Sequence, residues 1–144
     1  MIRYVLDASV ALKWLVPDED LTEEAFRLRE RYATGEIVFI VPDIFWAEIG
    51  NSLWKGMRQL RWSAETAESA ARSLAEQAFP TASSKSLFRL ALDLAIKQER
   101  SLNDSLYVAL ALQHSSQLVT ADERLANALA ARFPVKWLGA LGAD

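Results

Sequence analysis

Four acidic residues that lie far apart along the chain could meet in one site: Asp7, Glu48, Asp104 and Asp122. Asp7 follows a short apolar run, residues 2–6, which is typical of a buried strand. Ligands bind to parallel α/β sheets beyond the carboxyl ends of the strands, so Asp7 lies where a site is expected. A carboxylate that loses water there needs a partner, and a cation is the simplest one. The alternative is that Asp7 only caps the next helix.

The other three acids also lie near the predicted ends of strands or helices. Asp122 comes just past a later strand. Glu48 lies in a helix and shares a polar stripe with Asn51, although a salt bridge would be a purely structural reason for its charge. Asp104 lies in the first turn of another helix, which either Asn103 or Ser101 can cap. A carboxylate at that place also interacts favourably with the helix dipole, so its position alone does not decide its role.

Four converging carboxylates would repel one another unless protons or cations intervene. At an effective dielectric of about 20, each pair about 4 Å apart costs about 4 kcal/mol. Mg²⁺ or Mn²⁺ suits such a site, because hard divalent ions prefer oxygen ligands and no His or Cys accompanies the acids. A site of this kind activates a water molecule and neutralises a phosphodiester in its transition state. Ser9, Asn51 and Thr120 are polar neighbours that could orient the carboxylates.

The composition is that of an ordinary globular protein, and it excludes several kinds of site. The 144 residues suggest a single domain, 1–144, with 51% hydrophobic and 24% charged residues. The absence of cysteine excludes disulfides, thiolate zinc sites and cysteine nucleophiles. The net charge of −3 gives no overall basic excess for binding nucleic acid, although a local basic face would suffice. No signal peptide or membrane span is predicted, so we expect a cytoplasmic protein without a membrane partner.

Apolar periodicity predicts strands alternating with helices, which favours an α/β fold with helices on both faces of a parallel sheet. Right-handed crossovers then bring the carboxyl ends of the strands to one edge. The predicted strands are 2–6, 36–41, 117–120 and 135–138. The predicted helices are 10–15, 21–32, a third from its cap Asp43 to 57, 63–79, 83–98, 101–112, and a seventh that ends near 133.

Some local patterns predict structure rather than chemistry. The acidic run 18–20 should open the second helix. Thr120 and Glu123 match a capping box that would start the seventh helix. His114 is the only histidine, and it has no nucleophile at a recognisable spacing, so we do not expect it to be catalytic. The tail 139–144 is predicted to fray.

Four segments together resemble the motifs of PIN domains, and more narrowly those of VapC-type toxins of prokaryotic toxin–antitoxin pairs. The segments appear in the family's order and span nearly the whole chain: Tyr4 to Val10, Glu48 with Asn51, Asn103 to Ala111, and Leu118 to Asp122. The resemblance implies a three-layer α/β/α sandwich with a short, mostly parallel central sheet. It also implies an Mg²⁺- or Mn²⁺-dependent ribonuclease, a homodimer, and a small antitoxin that blocks the site.

Residue roles follow from the resemblance only where the motifs match. It implies that Asp7 and Asp104 bind the metal most directly and that Glu48 and Asp122 complete the acidic cluster. It gives Ser9 and Thr120 a supporting role. The chain departs from the family at Asn103, where many members carry a residue such as tyrosine. This departure bears on the fit of the substrate and leaves the expected metal ligands untouched.

Two further sets of residues are candidates for contacts with partners. Lys13, Lys55 and Arg58 lie near the expected site and could contact phosphates, or could simply be solvated surface charges. Trp46, Trp54 and Trp62 are candidates for a dimer interface, because interfaces are rich in aromatic side chains. The sequence does not identify which RNA is the substrate.

Other functions remain possible from the sequence. A receiver-type phosphoacceptor domain expects paired acids after the first strand and a lysine after a late strand, but Ala8 follows Asp7 and Lys136 lies inside the last predicted strand. A metal-dependent adhesion module expects an Asp-x-Ser-x-Ser motif, but Ala11 replaces its second serine. A PIN-like protein could also be catalytically silent and serve only to bind or regulate.

Overall fold

The computed structural model describes residues 1–16 and 20–141. Within these ranges, strands alternate with single helices or pairs of helices. In chain order the elements are β1 (Ile2–Leu6), α1 (Ala8–Leu15), α2 (Thr22–Ala33), β2 (Ile37–Pro42), α3 (Ile44–Arg58), α4 (Ala64–Ala75), β3 (Thr81–Ala82), α5 (Ser84–Gln98), α6 (Leu102–Gln113), β4 (Gln117–Thr120), α7 (Glu123–Leu129), β5 (Val135–Trp137) and α8 (Leu138–Leu141).

A five-stranded parallel sheet in the order β3-β2-β1-β4-β5 forms the centre of the fold. β1 occupies the middle, where Val5 is in register with Ile40 on one side and with Leu118 on the other. These three residues are buried, as expected for strands covered on both faces. The predicted α/β architecture with a parallel sheet between helices is therefore confirmed. Since all strands run the same way, their carboxyl ends share one edge.

The core is apolar and rich in large side chains, which fixes the sheet and helices as a rigid frame. Phe39, Phe45, Leu87, Leu110 and Leu125 are almost fully buried. Burying one such side chain contributes about 1.5–3 kcal/mol relative to leaving it in water. Side chains on this frame are therefore held in defined positions. In the described parts of the chain, no helix is long and apolar enough to cross a membrane.

Several predicted boundaries were wrong, each because tertiary contacts outweigh local pattern. The fourth helix ends at Ala75 rather than at 79, and Phe79 packs edge-on against Phe39 in the core. The chain then forms the unpredicted strand β3, which is only two residues long. Residues 139–141 belong to α8, whose Leu141 is buried, instead of fraying. Residues 142–144 lie outside the described part of the chain.

Predictions for two helix starts also need correction. Asp43 precedes α3, but its side chain makes no hydrogen bond that caps that helix. Its carboxylate instead accepts hydrogen bonds from the hydroxyl and the backbone N–H of Ser84 at the start of α5, and these bonds lower the pKa of Asp43. The second helix begins at Thr22, after Leu21 in a left-handed conformation. Two of the three acids expected to open it, at 18 and 19, lie outside the described residues.

Candidate metal centre at the carboxyl edge of the sheet

Asp7 lies at the carboxyl end of the central strand, where the sequence predicts it. Its backbone N–H donates to the carbonyl of Val119 in the neighbouring strand at 3.1 Å. Its carboxylate Oδ2 accepts two hydrogen bonds of 2.7 Å, from the hydroxyls of Ser9 and Thr120. The side chain makes no capping bond to α1, so the capping alternative is wrong for Asp7. Burial raises the pKa of Asp7 although both hydroxyls lower it, and repulsion from Asp104 and Asp122 raises it further.

The two hydroxyls also tie the turn after β1 to the turn after β4. Thr120 is completely buried, and its oxygen accepts a hydrogen bond of 3.0 Å from the N–H of Asp122. The Ser9 oxygen accepts one of 3.0 Å from the N–H of Ala121. Both turns are therefore fixed relative to the Asp7 carboxylate. Ser9 and Thr120 therefore each link the Asp7 carboxylate to the turn after β4.

The predicted capping box of Thr120 and Glu123 is wrong. α7 begins at Glu123, and Asp122 is its cap, since Oδ1 of Asp122 accepts the N–H groups of Arg124 and Leu125 at 3.0 and 3.2 Å. Thr120 cannot serve as the cap because it belongs to β4 and its hydroxyl is directed to Asp7. Asp122 is exposed. Its Oδ1 caps α7, and its Oδ2 takes no part in these two hydrogen bonds.

Glu48 projects from α3 and meets a tyrosine of α6. The Tyr107 hydroxyl donates to Glu48 Oε1 at 2.6 Å. Within the described residues no lysine or arginine pairs with Glu48, so the salt-bridge alternative is not supported there. Burial raises the pKa of Glu48, the tyrosine bond opposes this, and repulsion from Asp7 and Asp104 adds to it. Burial and the nearby negative charges likewise raise the pKa of Tyr107.

Asp104 lies in the first turn of α6, and Ser101 caps that helix as predicted. The Ser101 hydroxyl accepts from the N–H of Asp104 at 3.1 Å. Arg100 comes one turn earlier, with Nη2 3.7 Å from Asp104 Oδ2. Burial raises the pKa of Asp104, although Arg100 and the Ser101 bond lower it and Asp122 raises it. The Nε of Arg100 is buried without a hydrogen-bond partner among the described residues.

The four acids share one electrostatic neighbourhood without forming a compact cluster. Asp7 is affected by the charges of Asp104 and Asp122, and Glu48 by those of Asp7 and Asp104. Across residues 1–16 and 20–141, however, no three acidic or histidine side chains are already arranged to hold one metal ion. The site is therefore a loose set of carboxylates that repel one another.

The donor set nevertheless fits a hard divalent cation. In each acid the protein engages one oxygen: Oδ2 of Asp7, Oε1 of Glu48, Oδ2 of Asp104 and Oδ1 of Asp122. Among the described residues, no hydrogen bond engages the second oxygen of Asp7, Glu48 or Asp122, so each could serve as a ligand. Mg²⁺ and Mn²⁺ prefer oxygen ligands, and positive charge would offset the desolvation and repulsion that raise three of these pKa values.

The other candidate residues are distributed unevenly around these acids. Asn51 is exposed, and no hydrogen bond among the described residues joins it to an acid. Lys13 is buried, and its ammonium donates to the carbonyl of Asp20 at 2.7 Å, so the prediction of a surface phosphate contact is wrong for it. Lys55 and Arg58 are exposed in the last turn of α3. His114 ends α6 at the opposite, amino edge of the sheet, away from the acids.

Sequence reasoning missed two residues of this region, Arg100 and Tyr107. Tyr107 lies three residues after Asp104 on the same face of α6, whereas Arg100 lies in the connection before that helix and had no sequence signal. That spacing was the available signal for Tyr107. Its meaning was hidden because the partner of Tyr107 is 59 residues away.

Comparisons with known proteins agree with this geometry. The model of the PIN domain family matches residues 4–129. PAE2754 from Pyrobaculum aerophilum has a similar structure, with a TM-score of 0.68 and 20% identity over 99% of this chain and 91% of that one. The structure of VapBC2 from Rickettsia felis, bound to a DNA fragment from their promoter, is also similar. Its TM-score is 0.66 and its identity 14%, over 94% of this chain and 98% of that one. A toxin–antitoxin complex from Klebsiella pneumoniae has a TM-score of 0.60 and 17% identity, over 94% of this chain and 96% of that one.

No curated protein matches the sequence. At such low identities the solved structures show a shared fold only, whereas the family match extends over most of the chain and includes all four acids. The chain therefore belongs to the PIN-domain family.

Proposed function

We propose that this protein is an Mg²⁺- or Mn²⁺-dependent endoribonuclease and the toxin of a VapBC-type toxin–antitoxin pair. The observation that carries the proposal is the set of carboxylates at the carboxyl edge of the sheet, three of them with a raised pKa. Such a set is costly to maintain without positive charge. Membership of the PIN family supports nuclease chemistry for it.

In this proposal each residue has a distinct task. Asp7 and Asp104 hold the ion most directly, and Glu48 and Asp122 complete its surroundings. The hydroxyls of Ser9 and Thr120 fix the Asp7 carboxylate through Oδ2. When bound, the ion supplies the positive charge that activates a water molecule and neutralises the scissile phosphodiester.

Positive side chains would then contact the RNA backbone. Lys55 and Arg58 remain candidates because both are exposed on the helix that carries Glu48. Arg100 is a stronger candidate, because its guanidinium lies beside Asp104 and has a buried Nε without a partner among the described residues. Arginine can bind a phosphate through two parallel hydrogen bonds.

A small antitoxin is the proposed protein partner. Two proteins of similar fold carry names that refer to toxin–antitoxin assemblies, from Klebsiella pneumoniae and from Rickettsia felis. We expect the antitoxin to cover the acidic edge and to inhibit cleavage in the cytoplasm, where the RNA is. Co-expression with the small protein encoded beside it, followed by co-purification and an activity assay, tests this partner.

We also propose a homodimer, and we propose for it an interface other than the three predicted tryptophans. Trp46 and Trp62 donate hydrogen bonds within their own chain, to Thr81 and to the carbonyl of Leu53, and both are only partly exposed. Of the three tryptophans only Trp54 is well exposed, at 57%. Trp62 also packs directly over Gly56, which leaves no room there for a Cβ.

The outer face of α5 is the better candidate for contact between two copies. It exposes an apolar row at spacings of four residues: Phe88 at 51%, Leu92 at 43% and Ile96 at 70%. Rows of this kind mark interaction sites more often than isolated apolar residues do. Two antiparallel copies of α5 would place Leu92 against its equivalent and Phe88 near Ile96, as a two-fold interface requires.

The deciding experiment is incubation of the purified protein with total cellular RNA, followed by mapping of new 5′ ends. We expect cleavage with Mn²⁺ that EDTA abolishes and that Asp104→Asn removes. Asp93→Asn is the matched control, because Asp93 is an exposed aspartate on α5 whose one ion pair among the described residues is with Lys97. Full cleavage in EDTA, or by Asp104→Asn, would contradict the proposal.

A catalytically silent PIN-like binding protein is the second candidate. The observation in its favour is that no three acidic or histidine side chains in the described ranges are already arranged around a common point for a metal. This alternative predicts no cleavage and no Mn²⁺ binding, while the antitoxin or another protein still binds. Measuring Mn²⁺ binding and cleavage on one preparation separates the two candidates.

A further inference from the structure

Tyr107 is a large buried side chain of α6, and its hydroxyl bonds to one of the four acids. Residues 105–111 of this helix are all buried, and Tyr107 is only 2% exposed. Its place three residues after Asp104 puts both side chains on the same face of the helix. A buried hydroxyl needs a partner, and the partner found here is the carboxyl group of Glu48.

The Tyr107 hydroxyl joins three parts of the candidate metal centre. It donates to Oε1 of Glu48 on α3 at 2.6 Å, a length typical of a strong bond to an ionised acceptor. It also lies 3.4 Å from the N–H of Ala8, which immediately follows Asp7 and donates to it. One oxygen on α6 therefore fixes the positions of Glu48 and of the turn that carries Asp7.

We propose that Tyr107 is a positioning residue of the metal centre, which holds Glu48 through Oε1 and so reserves Oε2 for the cation. This inference rests on the proposed metal-dependent function. Glutamate has three rotatable side-chain bonds, and fixing a long side chain costs conformational entropy. A hydrogen bond formed before the ion arrives supplies part of that ordering in advance.

The chemical identity of the donor supports positioning over charge compensation. A lysine or arginine in contact with Glu48 would hold the carboxylate equally well but would also neutralise it and compete with the cation. A tyrosine hydroxyl is neutral, so it orients the carboxylate and leaves the full negative charge for the metal. Hydrogen-bond partners of metal ligands typically contribute 10- to 100-fold in metal affinity or activity.

The test measures Mn²⁺ affinity on the full chain by the loss of the free-ion electron paramagnetic resonance signal. We expect Tyr107→Phe to weaken Mn²⁺ binding about tenfold, because only the hydroxyl is lost. Tyr4→Phe is the matched control, since Tyr4 is also buried and its hydroxyl interacts with Arg31 instead of an acid. Tyr4→Phe should bind Mn²⁺ as the wild type does.

A double-mutant cycle distinguishes positioning from general damage to the fold. If Tyr107 acts through Glu48, then Tyr107→Phe should have no further effect on Mn²⁺ affinity in a Glu48→Gln background. The cleavage rate kcat should fall with Tyr107→Phe while KM for RNA stays the same. An equal loss in both backgrounds, or a change in KM alone, would overturn the inference.

The outcomes for the inference and for the proposed function are distinguishable. Wild-type protein that binds no Mn²⁺ would refute both. Wild-type protein that binds Mn²⁺ and loses it with Asp7→Asn, while Tyr107→Phe binds equally well, would refute the inference alone. If Tyr107→Phe does not fold, as judged by circular dichroism, Glu48→Asp makes the same test. Its shorter side chain withdraws the carboxylate from the hydroxyl, and unchanged affinity would overturn the inference.

Discussion

Replacing Thr120 with valine removes one buried hydroxyl and preserves the shape of the side chain. In the wild type this hydroxyl donates to Asp7 Oδ2 at 2.7 Å and accepts from the N–H of Asp122 at 3.0 Å. Ser9 would then be the one hydroxyl among the described residues that is bonded to the partly buried Asp7 carboxylate. The substitution therefore isolates one bond that holds the central acid of the candidate site.

The expected loss in the free energy of unfolding depends on whether Asp7 is ionised. A hydrogen bond to a charged group contributes about 1.5–3 kcal/mol, and one between neutral groups contributes about 0.5–1.5 kcal/mol. Thr120→Val should accordingly lower the free energy of unfolding by about 2 kcal/mol at pH values where Asp7 is ionised. The loss should shrink to about 1 kcal/mol where Asp7 is protonated.

The sign of the pH dependence follows from the pKa of Asp7. Burial raises this pKa above the unfolded value of 3.8, so the folded state holds the proton more tightly than the unfolded chain does. The stability that this proton contributes is present at low pH and is lost as pH rises from 3.8 through the folded pKa. Since the Thr120 bond lowers the pKa of Asp7, the valine variant should have a still higher pKa and lose more stability over that window.

Urea unfolding in EDTA at a series of pH values, from about 4 to about 8, measures the effect. Thr81→Val is the matched control, because the Thr81 hydroxyl also donates one hydrogen bond and accepts one but contacts no acid. Thr81→Val should lower the free energy of unfolding by the same amount at every pH. A pH-independent cost for Thr120→Val, or a cost below about 0.5 kcal/mol, would refute the claim that this hydroxyl supports an ionised Asp7.

Three further predictions use the same preparations. Mn²⁺ at about 100 times its dissociation constant should stabilise the fold by about 2.7 kcal/mol in thermal unfolding, and Asp7→Asn should abolish that gain. In EDTA at neutral pH, Asp104→Asn should unfold no more easily than the wild type, because the raised pKa of Asp104 means that its charge is unfavourable there; a marked loss of stability would contradict this. Leu92→Glu should convert the dimer to a monomer in light scattering, whereas Trp62→Phe should not, and a dimeric Leu92→Glu would exclude the α5 face.

The architecture was predictable because it follows from long apolar periodicities. Strand β1 ends in the apolar run 4–6 and helix α6 contains the apolar run 106–112, and their positions follow from pattern alone. The strand β3 could not be found in this way, since its two residues have no period and exist only by pairing with the end of β2. The same limit explains why α4 was predicted to run on to Phe79, an apolar residue that packs in the core without being helical.

The positions of the acids were predictable, but their hydrogen bonds were not. Asp7 and Asp122 each follow a strand, which places them at one edge of a parallel sheet. Whether Thr120 or Asp122 caps α7 depends on a competing acceptor, the Asp7 carboxylate, which is 113 residues away from Thr120. Local patterns do not contain such partners.

Charged side chains were the least predictable part of the site. Lys13 has the spacing of a surface residue on a short helix, yet it is buried and its ammonium donates to the backbone carbonyl of Asp20. Arg100 lacked any motif, and only the fold shows that it lies beside Asp104. The position of the charged group of a long flexible side chain depends on which loop or helix packs beside it.

The central claim is that the acids at the carboxyl edge of the sheet bind a divalent ion together. A crystal of the protein soaked in Mn²⁺, with anomalous diffraction recorded near the manganese absorption edge, tests it most directly. We predict an anomalous peak coordinated by oxygens of Asp7 and Asp104, with Glu48 or Asp122 nearby. A crystal that shows no peak there, or a peak bound only by other residues, would contradict the claim.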